Sequence, residues 1–202
     1  MAASDQRVVT LPNIISVVRL ACVPLFVWLL VDDRLIEAAA LLGVLGATDW
    51  VDGWIARRFD QGSDLGKVLD PVADRVLLLT AGVALVVQGS VPVIIGVLVL
   101  AREVVVSVAV LILAAMGARR IDVQWAGKAG TLSIMVAFPL YLWADGIDAG
   151  AGHDVVLAAA WTFAVVGLVL GWSVLFQYLP LAREALRQGR AAHVAEVEAG
   201  AR

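Results

Sequence analysis

The chain has 202 residues, of which 61% are hydrophobic and 16% charged, with a net charge of −3 and a mean hydropathy of +0.91. A water-soluble domain carries about a quarter charged residues, so this composition excludes an ordinary soluble globule, and no nucleic-acid partner is expected. The single cysteine, Cys22, sits in an apolar run, which excludes a disulfide framework and a cysteine-based zinc site.

Residues 1–10 are polar, and no small-residue cleavage site follows the first apolar run, so no cleavable signal peptide is expected. The first apolar segment runs from Leu11 to Val31, with Pro12 suited to a first helical turn. Asp32, Asp33 and Arg34 break it. A second segment covers Leu35–Ala56, followed by a polar stretch, Arg57–Asp64. A third runs from Leu65 to Val87 and ends in the turn-forming residues 89–92. A fourth continues to Met116, a fifth covers Trp125–Trp143, and the Gly- and Asp-rich stretch Asp145–Asp154 reads as a loop. A sixth covers Val155–Leu179, after which the chain turns basic. At ~20 residues per crossing, the expectation is an all-α integral membrane protein with six transmembrane helices. Its parts are a cytoplasmic N-terminal segment (1–10), one membrane domain (11–180) and a cytoplasmic tail (181–202).

Lys and Arg set the orientation. Arg7, Arg57, Arg58, Arg119, Arg120, Arg183, Arg187 and Arg190 fall at one set of ends, and Arg34 at the other. Both termini are therefore expected in the cytoplasm, and the absence of a transit peptide favours a bacterial plasma membrane. Trp28, Trp143 and Trp161 suit interface anchoring.

Several charges lie inside apolar spans: Arg19, Asp49, Asp52, Asp70, Asp74, Arg75, Arg102, Glu103 and Lys128. Charge at membrane depth is costly unless paired or solvated, and marks function by default. Asp49 and Asp52 are three apart and Asp70 and Asp74 four apart, so each pair shares a helix face. A short polar turn makes the two helices antiparallel neighbours and brings both pairs to one level near the cytoplasmic side. Four bare carboxylates would repel one another, and two divalent cations would cancel them. An all-oxygen donor set favours Mg²⁺ or Mn²⁺ over zinc, and a pair of such ions suits displacement at phosphorus. Gly53 and Ala56 remove bulk where a phosphate or ribose approaches, Arg57 offers a forked donor, and Gly66 lets the loop pack against a nucleotide. The plain structural alternative is a salt-bridge network of the four acids with Arg75, Arg57 and Lys67.

The pattern Asp49-x2-Asp52-Gly53-x2-Ala56-Arg57-x8-Gly66-x3-Asp70-x3-Asp74 resembles the signature of the CDP-alcohol phosphatidyltransferase family at every fixed position. The likeness extends from Leu11-Pro12-Asn13 to about Trp143. It implies six transmembrane helices paired as a homodimer, with a cavity open to cytoplasm and bilayer. It implies that Asp49, Asp52, Asp70 and Asp74 ligate two metals and that Asp74 is also the general base. The CDP moiety of a CDP-diacylglycerol substrate would lie over Asp49, Asp52, Gly53, Ala56, Arg57, Gly66 and Asp70. An acceptor hydroxyl would attack the phosphorus bearing diacylglycerol, and CMP would leave.

Leu11-Pro12-Asn13 with Arg19 and Pro24, Ala101-Arg102-Glu103 and Gly127–Thr131 resemble the bacterial phosphatidylglycerophosphate synthase and cardiolipin synthase branch. Members taking glycerol 3-phosphate are expected to carry an extra Arg where this chain has Val110 and a second Lys where it has Gly130. A phosphomonoester carries nearly two charges, so two missing cations weaken its pocket. Likeness of residues 127–139 to actinobacterial cardiolipin synthases points the same way. Phosphatidylglycerol is therefore the expected acceptor, giving cardiolipin, with glycerol 3-phosphate as the alternative. Arg102, Lys128 and Arg19 are the candidate acceptor contacts. Arg102 and Lys128 have the alternatives of pairing with Glu103 or snorkelling, and Arg19 that of a satisfied polar pair with Asn13.

Two other classes fit less well. A transporter with an acidic relay would string its carboxylates across the bilayer, and these cluster on one side. An inert scaffold would have no use for the Asp-Gly and Ala-Arg pairs. A phospholipase-type cardiolipin synthase is excluded, since His153 and His193 do not form its His-x-Lys motifs.

Overall fold

The computed structural model describes residues 11–59, 66–115 and 125–200. Within these, the side chains of residues 11–12, 49–59, 66–71, 110–111, 113–115, 175 and 177–200 lie outside the description. The described residues form six α-helices and no strand: α1 Leu11–Val31, α2 Leu35–Phe59, α3 Gly66–Gln88, α4 Val93–Ala115, α5 Trp125–Asp145 and α6 Ala151–Gly200. Each expected segment is a helix. The largest difference is at α6, which runs on to Gly200 where the apolar segment was expected to end at Leu179, and which starts at Ala151, inside the stretch expected to be loop. The Gly150 carbonyl accepts the first helical bond from the Asp154 amide at 3.0 Å. Asp154 then lies in the first turn, where the helix dipole favours an acid.

The chain divides into two compact units, Met1–Gly96 with Met135–Ala164, and Val97–Ile134 with Val165–Arg202. In the first unit α1 packs against α2 and α3. Phe26 and Leu30 of α1, Ala38 and Leu42 of α2, Leu77 and Leu85 of α3, and Phe138 and Tyr141 of α5 are buried there. A small apolar cavity lined by Leu42, Gly46, Leu77, Leu78, Ala81, Met135 and Phe138 shows that α2, α3 and α5 face one another.

Three turns of this unit are tied together. Helix α1 ends with the Arg34 amide bonded to the Leu29 carbonyl (2.9 Å) and the Asp33 amide to that of Leu30 (3.2 Å). Asp33 takes the left-handed conformation this cap requires, with φ 54°. Helix α3 ends at Gly89, φ 91°, whose amide bonds to the Leu85 carbonyl at 3.1 Å. Gln88 Nε2 donates to Asp33 Oδ1 at 3.1 Å. Ser90 Oγ donates to Asp145 Oδ2 at 2.6 Å. The α1–α2, α3–α4 and α5–α6 connections therefore share one end of the unit.

The outward faces are apolar as well. Val17, Val18, Val31, Val83 and Val87 are all more than half exposed, whereas Asn13, Ser16 and Arg19 are buried. Polar inside and apolar outside is the pattern of helices solvated by lipid, and in water so wide an apolar surface would associate. Among the described residues, Asn13–Val31 and Ala151–Val174 are each long and apolar enough to cross a membrane.

In the second unit α5 and α6 approach closely through glycines. A Cβ on Gly130 would lie 2.9 Å from the Gly171 amide nitrogen and 3.0 Å from the Gly167 carbonyl oxygen. Backbone stands where a side chain would go, so only glycine fits.

Candidate active site

Asp49, Asp52, Gly53, Ala56 and Arg57 lie on the second half of α2, and Gly66, Asp70 and Asp74 on the first half of α3. Asp49 is fourteen residues from Leu35, and Asp74 is fourteen residues from Gln88. At ~1.5 Å per residue both stand ~21 Å from the end where the three turns are tied. The two acidic pairs are therefore carried at one level by helices whose deeper turns face a common cavity. Gly46 and Leu77, one turn deeper than Asp49 and Asp74, both line it. The side chains of Asp49, Asp52, Ala56, Arg57 and Asp70, and the surroundings of Gly53 and Gly66, lie outside the described residues.

Asp74 is described, and its surroundings are informative. Arg19 Nη1 of α1 donates to Asp74 Oδ1. The Arg19 side chain is fully buried, while that of Asp74 remains 33% exposed. One carboxylate oxygen is thus held from inside the unit, and the acid as a whole stays accessible. Arg75, beside it on the chain, is exposed. A buried partner of Asp74 is thus a residue 55 positions away on another helix. Ser16, buried between Asn13 and Arg19, was not singled out from the sequence. The signal available for it was the three-residue spacing of Asn13, Ser16 and Arg19.

Among the described residues no three His, Cys, Asp or Glu side chains form a metal cage. Asp74, a third exposed, suits a hard divalent cation as an oxygen ligand.

In the second unit Arg102 Nη1 donates to Glu103 Oε1 and, at 3.2 Å, to Thr131 Oγ1. Thr131 in turn donates to the Gly127 carbonyl at 3.2 Å. The Arg102 and Glu103 side chains are 12% and 13% exposed. A Cβ on Gly171 would lie 3.1 Å from Arg102 Nε, so the guanidinium rests against α6 backbone. That buried Nε has no hydrogen-bond partner among the described residues. Lys128, one turn before Thr131, is exposed. The side chain of Val110 lies outside the described residues.

Comparison with known proteins gives the same family as the motif. The chain is 39% identical over 195 residues to a cardiolipin synthase (CMP-forming) of Streptomyces coelicolor, covering 93% of this chain and 89% of that protein. It is 34% identical over 182 residues to a CDP-diacylglycerol–glycerol-3-phosphate 3-phosphatidyltransferase of Escherichia coli K12, covering 86% and 94%. The family model for CDP-alcohol phosphatidyltransferases matches residues 9–174. The chain is a membrane-associated enzyme and belongs to the CDP-alcohol phosphatidyltransferase family.

Proposed function

We propose that the enzyme transfers the phosphatidyl group of CDP-diacylglycerol to phosphatidylglycerol, forming cardiolipin and CMP. The observation that carries the active-site reading is Asp74, an accessible carboxylate held at the level of Asp49 by a buried arginine. Asp49, Asp52, Asp70 and Asp74 would hold two divalent cations, Mg²⁺ or Mn²⁺, in keeping with the metal dependence general in this family. When bound, these ions neutralise phosphate charge at the reacting phosphorus. Gly53, Ala56, Arg57 and Gly66, with Asp49, Asp52 and Asp70, form the CDP-binding surface. Asp74 takes the proton of the acceptor hydroxyl as that oxygen bonds to the phosphorus bearing diacylglycerol. The bond from this phosphorus to CMP breaks, and CMP leaves. Positioning contributes most of the acceleration in such a transfer.

The choice of acceptor rests on the second unit. Phosphatidylglycerol presents a phosphodiester of single charge, whereas glycerol 3-phosphate carries nearly two. The cations Arg102 and Lys128 suit the former. Position 130, where a second lysine would serve the latter, is filled by the backbone of Gly167 and Gly171. The likeness to the Streptomyces coelicolor protein agrees. Glycerol 3-phosphate is the second reading, favoured by the likeness to the Escherichia coli protein.

The proposed setting is the bacterial plasma membrane, with six spans, both termini and the active site on the cytoplasmic side, and two chains per assembly. The six helices and the shared end of their alternate turns support the six alternating spans. The test is CMP release from CDP-diacylglycerol by purified protein with Mg²⁺ or Mn²⁺, offering each acceptor separately. Release with phosphatidylglycerol alone is expected. Release with glycerol 3-phosphate alone would transfer the assignment to that acceptor.

A further inference from the structure

A threonine inside a helix commonly turns its hydroxyl back onto a carbonyl of its own preceding turn. Thr131 of α5 does so, with Oγ1 donating to the Gly127 carbonyl at 3.2 Å. Thr48 and Thr162 make the same kind of bond, to the Leu45 and Ala158 carbonyls, each at 2.8 Å. Of these three, and among the described residues, only Thr131 also receives a bond from another helix, from Arg102 Nη1 of α4 at 3.2 Å. A hydroxyl has one proton and two lone pairs. With its proton directed to Gly127, the Thr131 oxygen is held as an acceptor, which is the role a guanidinium requires.

The nitrogens of Arg102 are engaged unequally. Nη1 is committed twice, to Glu103 Oε1 and to Thr131 Oγ1. Nε is buried, and a Cβ on Gly171 would stand 3.1 Å from it, so α6 backbone covers that edge. Nη2 alone is neither bonded to a described residue nor buried without a partner. A guanidinium grips an anion with two parallel bonds only along an edge whose two nitrogens are both available. Each edge that includes Nη2 also includes Nη1 or Nε, so Arg102 offers a ligand one donor. Charge does not fix this choice. Glu103 is the next residue on the same helix, and a single contact to it leaves the guanidinium plane free to turn about that contact. The second contact, on α5, sets the plane.

We propose that Thr131 is a positioning residue for the acceptor. It holds the plane of Arg102 so that Nη2 is presented and meets one oxygen of a singly charged phosphodiester. Thr131 thereby acts through Arg102 and does not touch the acceptor. The inference rests on the reading of Arg102 given above as an acceptor contact.

The test is steady-state CMP release by the full-length protein in detergent, with CDP-diacylglycerol and phosphatidylglycerol varied in turn. Thr131→Val keeps the branched shape and removes the accepting oxygen. It is expected to raise the KM for phosphatidylglycerol about 10-fold, the lower range for a hydrogen bond to a charged group. The kcat and the KM for CDP-diacylglycerol are expected to stay unchanged. Thr131→Ser restores the oxygen and is expected to restore the KM. In an Arg102→Gln background, Thr131→Val is expected to change the acceptor KM by less than about twofold, because the two effects run through one side chain. A fall in kcat with the acceptor KM unchanged, no recovery with serine, or an equal rise in both backgrounds would each overturn the proposal. Thr131→Ala carries the same comparison should the valine variant not fold. Wild-type release with glycerol 3-phosphate alone would overturn the acceptor assigned above. The same cycle, run with that acceptor, would then decide the role of Thr131 by itself.

Discussion

The two units each bury an arginine inside an apolar helix, and they accommodate it in different ways. Arg102 pairs with Glu103, the next residue in sequence, and with Thr131. Both members of that ion pair are almost closed off. Arg19 pairs with Asp74 on another helix, and the acid is left a third open. A charge pair closed on both sides can stabilise and specify packing, but its acid has little surface to offer a ligand. A pair closed only on the cation side holds a carboxylate in place and still presents it. The contrast shows why an intramembrane charge should be judged by the exposure of its partner as well as by its own depth.

The comparison can be broken most forcefully at the open acid. Asp74→Asn is expected to lower the turnover of CDP-diacylglycerol by about 10²–10⁴-fold, the usual contribution of a general base, with helix content and oligomeric state unchanged. CMP release beside circular dichroism checks this, and substantial residual transfer would remove Asp74 from the base role. Next in size is the glycine crossing that supports the closed pair. Gly130→Leu is expected to lower stability by about 1–3 kcal/mol, because the added side chain meets the backbone of α6. Thermal unfolding in detergent reads this, and an unchanged transition would show that α6 yields. Gly130→Lys sharpens the point, since it is expected not to confer transfer to glycerol 3-phosphate. Within the closed pair itself, Glu103→Gln is expected to cost about 1 kcal/mol, as the bond from Arg102 keeps the donor's charge and loses the acceptor's. The smallest effect belongs to the exposed pair of Arg34 with Glu37, whose closest contact is 3.1 Å. Arg34→Gln is expected to leave both the melting transition and turnover unchanged, since exposed ion pairs contribute little.

Much of the helical layout was legible because its causes are local. Asp32, Asp33 and Arg34 end α1 where the apolar run ends, and the observed bounds, Leu11–Val31, are those read from hydropathy. The α5–α6 connection was harder to place. Glycines and acids signal a loop, yet an acid in the first turn also stabilises a helix start, and at Asp154 the second effect prevails. The proposed metal and nucleotide residues stand out in the sequence for a similar reason. Three- and four-residue spacings place carboxylates on one helix face wherever the helix is put. The pairing of Arg102 with Glu103 was also visible as an alternative, since the partner is adjacent.

The sequence by itself determined the six helices, their lipid-compatible composition and the spacing of the signature aspartates. Each of these follows from interactions within a few residues along the chain. Tertiary structure alone decided that Arg19 meets Asp74 across 55 positions, and that position 130 is sealed by the backbone of Gly167 and Gly171. Helical periodicity gives the face on which a residue lies, but not which helix covers that face or how closely. That choice is made by packing α1 against α2 and α3, and α5 against α6.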